Sequence, residues 1–236
     1  MTPLRASRRF APQGFSAIEL TVVVAIIGIV MAIAIPAFNT MILNAKIKGV
    51  AESIQAGLRQ ARSEAIKRNA PMRFQLVTNL DNTCTLTTQS TFWVVSQYVI
   101  SGTRGVVSGA CDALPAMPEN LTPPGDQEEP CPTGAATSCA AQPWIAVKSD
   151  SLAVTGVQVT GAPAMSSAFI VTFGPLGQIL DNLEGAKPTA SPVYTLDIQA
   201  ASTAQSALQY RVQINTSGGI KLCNPNATDT MACPTS

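Results

Sequence analysis

Hydrophobic residues change their spacing twice along this chain, and the changes mark three regions. From Leu20 to Ala45 no residue is charged, and Phe15 to Phe38 would rise about 36 Å as an α-helix, enough to cross a bilayer core of about 30 Å. After Pro36 the apolar positions thin to a stripe, Ile47, Val50, Ala51, Ile54, Leu58, Ala61 and Ala65, recurring at three and four residues. That is one face of an amphipathic helix, which Asn69-Ala70-Pro71 ends. Beyond it the period becomes two. Leu208, Tyr210, Val212 and Ile214 alternate with Gln209, Arg211, Gln213 and Asn215, and Ser217-Gly218-Gly219 reads as a hairpin turn into Ile220-Lys221-Leu222. Further strands are expected at Met72–Val77, Phe92–Ile100, Leu152–Thr160, Phe169–Phe173 and Val193–Ile198. The pattern predicts an α+β chain. A long N-terminal helix, membrane-spanning over 15–45 and amphipathic over 46–70, packs on a mostly antiparallel β-rich head, 71–236.

Composition narrows the chemistry. Only 12% of the 236 residues are charged, the formal net charge is +1, and histidine is absent. The commonest general base and the commonest metal ligand are therefore missing. No G-x-S-x-G, S-x-x-K or phosphate-cradling glycine loop appears, so the residues point away from an enzyme and require no cofactor. All six cysteines, Cys84, Cys111, Cys131, Cys139, Cys223 and Cys233, lie beyond the apolar run, without a C-x-x-C pair. That usage suggests disulfides in an oxidising compartment rather than a metal site. Cys223 and Cys233, consecutive and flanking a short polar loop, are the first pair expected. Cys84 with Cys111 and Cys131 with Cys139 are the most local choice for the rest.

Arg5, Arg8 and Arg9 precede the apolar run with no acid among the first 14 residues. This asymmetry keeps the N-terminus cytoplasmic and sends the head outward. An uncleaved signal anchor, a secretory signal cut after Ala32-Ile33-Ala34 and a twin-arginine signal at Ser7-Arg8-Arg9-Phe10 all remain open on these features. Each leaves Glu19 unexplained, because a carboxylate at the bilayer centre costs about 2.5 to 3.5 kcal/mol on insertion scales. Pro36 lacks a backbone donor, so a kink or local melting of the helix is expected there.

The stretch Gly14-Phe15-Ser16-Ala17-Ile18-Glu19-Leu20 resembles the type IV prepilin cleavage motif. The resemblance implies that residues 1–14 are a leader, that a membrane prepilin peptidase cuts between Gly14 and Phe15, and that its N-methyltransferase activity modifies Phe15. It further implies that Glu19 pairs with the N-terminal ammonium of a neighbouring subunit during assembly, and that the helix can unwind near Pro36 when subunits pack. Three further stretches, Ala61–Asn69, Phe173–Ile179 and Tyr210–Cys223, resemble the FimT/FimU/GspH branch of minor pilins and pseudopilins. Members of that branch help initiate or cap a type IV pilus or a type II secretion pseudopilus, with a β-sandwich-like head on a long helix. The implied partners are the major pilin, other minor pilins or pseudopilins, and an inner-membrane assembly platform. The implied location is the bacterial inner membrane, single-pass, with a periplasmic head that enters the filament. The pair Cys223 and Cys233 resembles the C-terminal disulfide loop of pilins, which favours the pilus over the secretion system.

Two features fit less directly. The polar side of the amphipathic helix and its exit carries Lys46, Lys48, Arg59, Arg62, Lys67, Arg68 and Arg73 against Glu52 and Glu64, and a solvated face is the simplest reading. The Pro/Gly-rich insertion 101–143 is too long for an ordinary connection and holds Asp112, Glu119, Asp126, Glu128 and Glu129 between Cys111 and Cys139, with no Lys or Arg. Some similar proteins bind DNA through a Gly-Arg-x-Arg element. Here the matching stretch is Gly218-Gly219-Ile220-Lys221, which leaves Lys221, with Arg211 as a second cation, for at most a weak contact.

Overall fold

The computed structural model describes residues 15–98, 107–112, 145–150, 154–162, 168–180, 194–202, 207–228 and 230–234. Gly14, Cys131, Cys139 and most of the insertion lie outside them, as do the ends of three expected strands at Val99–Ile100, Leu152–Ala153 and Val193. Two compact units are present, Met1–Met41 and Ile42–Ser236.

In the first unit the described residues are helical from Ala17, where α1 (Ala17–Arg68) begins. Its apolar side chains are exposed all round among the described residues, from Phe15 at 85% to Phe38 at 62%. A helix hydrophobic on every face belongs inside lipid or among other helices. The helix runs unbroken through position 36, so the local melting expected at Pro36 is not present in the isolated chain. Proline removes a single donor, and the bonds on either side hold the turn.

The second unit is a sandwich of two four-stranded antiparallel sheets closed by the remainder of α1. The strands are β1 (Met72–Val77), β2 (Phe92–Gln97), β3 (Ile145–Lys148), β4 (Val157–Ala162), β5 (Ile170–Phe173), β6 (Tyr194–Ala200), β7 (Tyr210–Ile214) and β8 (Ile220–Cys223). One sheet has the order β3-β2-β1-β5 and the other β4-β6-β7-β8. All seven residues of the helical stripe are buried, and they share one core with Met72, Phe74, Leu76, Val171, Phe173, Leu196, Ile198, Val212 and Ile214. Two glycines let rings into that core. A Cβ on Gly57 would lie 2.8 Å from the Trp93 ring, whose Nε1 donates to Ser53 Oγ at 3.2 Å, and one on Gly161 would lie 2.3 Å from Phe169.

Several sequence expectations change. The strand expected over Leu152–Thr160 runs over Val157–Ala162, with Val154, Thr155 and Gly156 outside it. Strand β3 was not anticipated, and β2 ends before Tyr98. Strand β7 begins at Tyr210, because the Leu208 N–H donates to Asn44 Oδ1 on α1 at 2.9 Å instead of to a neighbouring strand, leaving Leu208 exposed. Arg73 is not part of the helix's polar face. It lies in β1, 5% exposed, with its guanidinium carbon 3.6 Å from the Tyr98 ring centroid, a cation–π contact that favours burial of the charge.

Outside the main core a second cluster, Val77, Val94, Val107 and Ile145, surrounds the disulfide between Cys84 and Cys111. The bridge ties the described start of the insertion to the first sheet. Just before it, the Asp81 carboxylate accepts from the Thr83 hydroxyl and its N–H at 2.7 Å, which holds the Asp81 pKa below its ordinary value. A lowered carboxylate pKa helps the folded loop above the unfolded-state value, and that help is lost as pH falls through the lowered one.

Candidate functional site: the junction of α1 with two hairpin tips

Two hairpins of the same construction meet at one end of the sandwich. In the first, Gly174 N–H donates to Gln178 O and Gly177 N–H to Gly174 O, both at 2.8 Å, with Gly177 at φ +77°. In the second, Asn215 N–H donates to Gly219 O at 3.0 Å and Gly218 N–H to Asn215 O at 2.9 Å, with Gly218 also at φ +77°. Each is a three-residue loop that ends in a left-handed glycine, a conformation costly for any residue with a Cβ. Pro175 pre-sets the first turn, and Asn215 Oδ1 braces the second by accepting from Gly219 N–H at 2.7 Å.

The two tips are pressed together. A Cβ on Gly218 would stand 1.9 Å from the Gly177 carbonyl oxygen, and Ile179 N–H donates to Thr216 O at 3.2 Å. From α1, Arg62 Nε donates to Gly177 O at 3.0 Å, and its Nη2 comes within 3.5 Å of Ser217 O. One half-buried guanidinium thus serves carbonyls of both tips, where the fork of donors suits a rigid site. The three stretches singled out around Arg62, Phe173–Ile179 and the Gly218 turn are distant in sequence and converge here. The sequence marked Arg62 only as one of several cations on a helix face.

Charges elsewhere on the face are mostly spoken for. Lys48 pairs with Glu52 at 3.8 Å, and Glu64 pairs with Arg68 at 2.5 Å and Lys67 at 3.8 Å. With its amide turned so that the oxygen faces donors, Gln55 accepts from Leu222 N–H on β8 at 3.3 Å and from Arg59 Nη2 at 3.2 Å, so a helix side chain covers the open edge of the second sheet.

Of the two cations considered for DNA, Arg211 is engaged. It stands directly across from Asp197 and binds it through two hydrogen bonds at 2.5 and 3.0 Å, which raises its pKa further. Lys221 is exposed, but it sits within β8 opposite Gln213 rather than at the tip. The tip itself is built of backbone and pinned by Arg62, while Arg211 and Lys221 lie as a diagonal pair on one face of the second sheet, away from the tip.

The C-terminus is closed by a disulfide between Cys223 and Cys233, reinforced by Asn224 N–H donating to Met231 O at 2.7 Å. Both Cys84 and Cys111 are fully buried, whereas Cys233 is half-buried. Limited reduction of the native protein followed by alkylation should therefore label Cys223 and Cys233 before Cys84 and Cys111, since exchange requires access to a sulfur. Peptide mapping would read the order, and labelling of Cys84 first would contradict the burial seen here.

Solved minor pilin and pseudopilin structures are similar to the chain. The type IV minor pilin FimU of Pseudomonas aeruginosa is 14% identical, covers 80% of this chain and 96% of its own, and has a TM-score of 0.40. The minor pseudopilin EpsH of the Type 2 Secretion System of Vibrio cholerae is 14% identical, with coverage of 77% and 99% and a TM-score of 0.38. No curated protein sequence matches. The family model for the type II transport protein GspH matches residues 50–218, from the head half of α1 through both hairpins to Gly218. With that match over most of its length, the chain belongs to the GspH family of minor pilins and pseudopilins.

Proposed function

We propose that the chain is a minor type IV pilin, a low-abundance structural subunit that helps initiate or cap a pilus and performs no catalysis. Prepilin peptidase removes residues 1–14 by cutting between Gly14 and Phe15 on the cytoplasmic side of the inner membrane, and Phe15 is then N-methylated. The head lies in the periplasm, and the assembly platform passes the subunit into a filament with the major pilin and other minor subunits. The observation that carries this reading is a helix apolar on every face and exposed among the described residues, with Glu19 exposed in its first turn. Such a surface needs lipid first and other helices later, and its carboxylate needs a cation when it leaves water.

Loss of Arg5, Arg8 and Arg9 with the leader turns a formal charge of +1 into −2. Intact mass of membrane-extracted protein should give a chain that begins at N-methylated Phe15. Retention of Met1, or a start at Ile35, would contradict processing at the glycine. The Cys223–Cys233 staple supports the pilus. The family model's own description supports a second reading, a minor pseudopilin of type II secretion. Identification of the major subunit that co-purifies decides between the two.

A further inference from the structure

Few large apolar side chains of the head are exposed among the described residues, and two of them are neighbours. Leu176 is 84% exposed at the tip of the first hairpin, and Ile66, 52% exposed, lies beside it, its Cδ1 2.9 Å from where a Cβ on Gly177 would be. Isolated exposed leucines need no explanation, but this one is held on a turn braced three ways, by Pro175, by its own turn hydrogen bonds and by Arg62 on Gly177 O. A rigid apolar tip loses little conformational entropy on docking. Its flank is cationic, because Arg62 and Arg59 precede Ile66 by four and seven residues on the same helix face. Glu64, the nearest acid in sequence, is taken by Arg68 and Lys67.

We infer that Leu176 and Ile66 form a docking knob for another pilin-like subunit, whose surface offers an apolar hollow bordered by carboxylates. The inference rests on the assembly reading above. Charge complementarity argues for a different subunit, since a two-fold contact between copies would set the Arg59 and Arg62 rims against each other. Position argues likewise. Ile66 lies near the C-terminal end of α1, about 36 Å along the helix from Ile42 where the head begins. The partner therefore sits beyond the end of the head away from the helix entry.

A photo-crosslinking amino acid at position 176 of the full chain, expressed in cells that assemble the filament, should crosslink to a second pilin-like subunit, and one at exposed Asn82 should not. Leu176→Asp should lower the amount in sheared filaments at least about fivefold while thermal unfolding of the detergent-extracted protein stays unchanged, because the side chain is outside the core. Arg59→Glu should act in the same direction. Crosslinks joining only copies of this chain, or wild-type levels of Leu176→Asp in filaments, would overturn the knob alone. Absence of the wild-type chain from sheared filaments would remove the assembly reading and the knob with it.

Discussion

Gly218→Ala is expected to destabilise the head by about 3 kcal/mol, lowering its melting temperature by about 6 to 12 °C for a domain of this size. Two costs add. The left-handed backbone at Gly218, φ +77°, is strained for alanine. The methyl would also stand 1.9 Å from the Gly177 carbonyl oxygen, a backbone atom that can retreat only if the first hairpin moves. Movement there withdraws the carbonyl from Arg62, so the helix loses its hold on both tips. Thermal unfolding of the detergent-extracted full chain, followed through its two tryptophans in the near ultraviolet, measures the loss. Arg62→Ala should cost less, because it leaves two carbonyls open to water and forces no clash. If Gly218→Ala melts with the wild type, the tips do not meet as described.

The same junction shows what a sequence can and cannot reveal. The stripe from Ile47 to Ala65 was legible because helical period and burial coincide at every one of its positions, and β1 because Phe74, Leu76 and Val77 follow closely on a helix-ending proline. Strand β3 is four residues, Ile145–Lys148, half-buried at a sheet edge, too short for alternation to declare itself. Arg73 looked like one more solvated cation because a basic residue beside a helix end carries no mark of the ring that covers it. Arg62 was hidden for a related reason. Its partners are backbone carbonyls 115 and 155 residues away, and a carbonyl has no residue identity to read. The glycines were visible as motifs, but the reason for them, two left-handed turns in contact, required the fold. The Arg211 partner was not legible because Asp197 faces it only through the pairing of β6 with β7.

Glu19→Ala should separate membrane insertion from assembly. Removing a carboxylate from the end of the apolar segment removes a cost that reaches about 2.5 to 3.5 kcal/mol at the bilayer centre and is smaller toward the interface, so the membrane-fraction level should hold or rise. Within α1 the residue sits in the first turn, where the helix dipole favours a negative charge, and it is exposed among the described residues. In the proposed filament its partner is the Phe15 ammonium of a neighbour, still cationic after methylation. Breaking a buried pair by removing one member strands the other charge, at about 3 to 5 kcal/mol. Even partial burial then predicts at least about a tenfold fall in sheared-filament content, since about 1.4 kcal/mol is a factor of ten. Glu19→Gln distinguishes charge from shape. It keeps the side chain's length and a hydrogen-bonding oxygen, so if pairing with an ammonium is the role, it should assemble nearly as poorly as alanine. Quantitative blots of membrane and sheared fractions from a complemented strain give both numbers. Filament content unchanged in both variants would remove the pairing role, whereas loss from the membrane fraction would show that Glu19 acts before assembly, at insertion or processing.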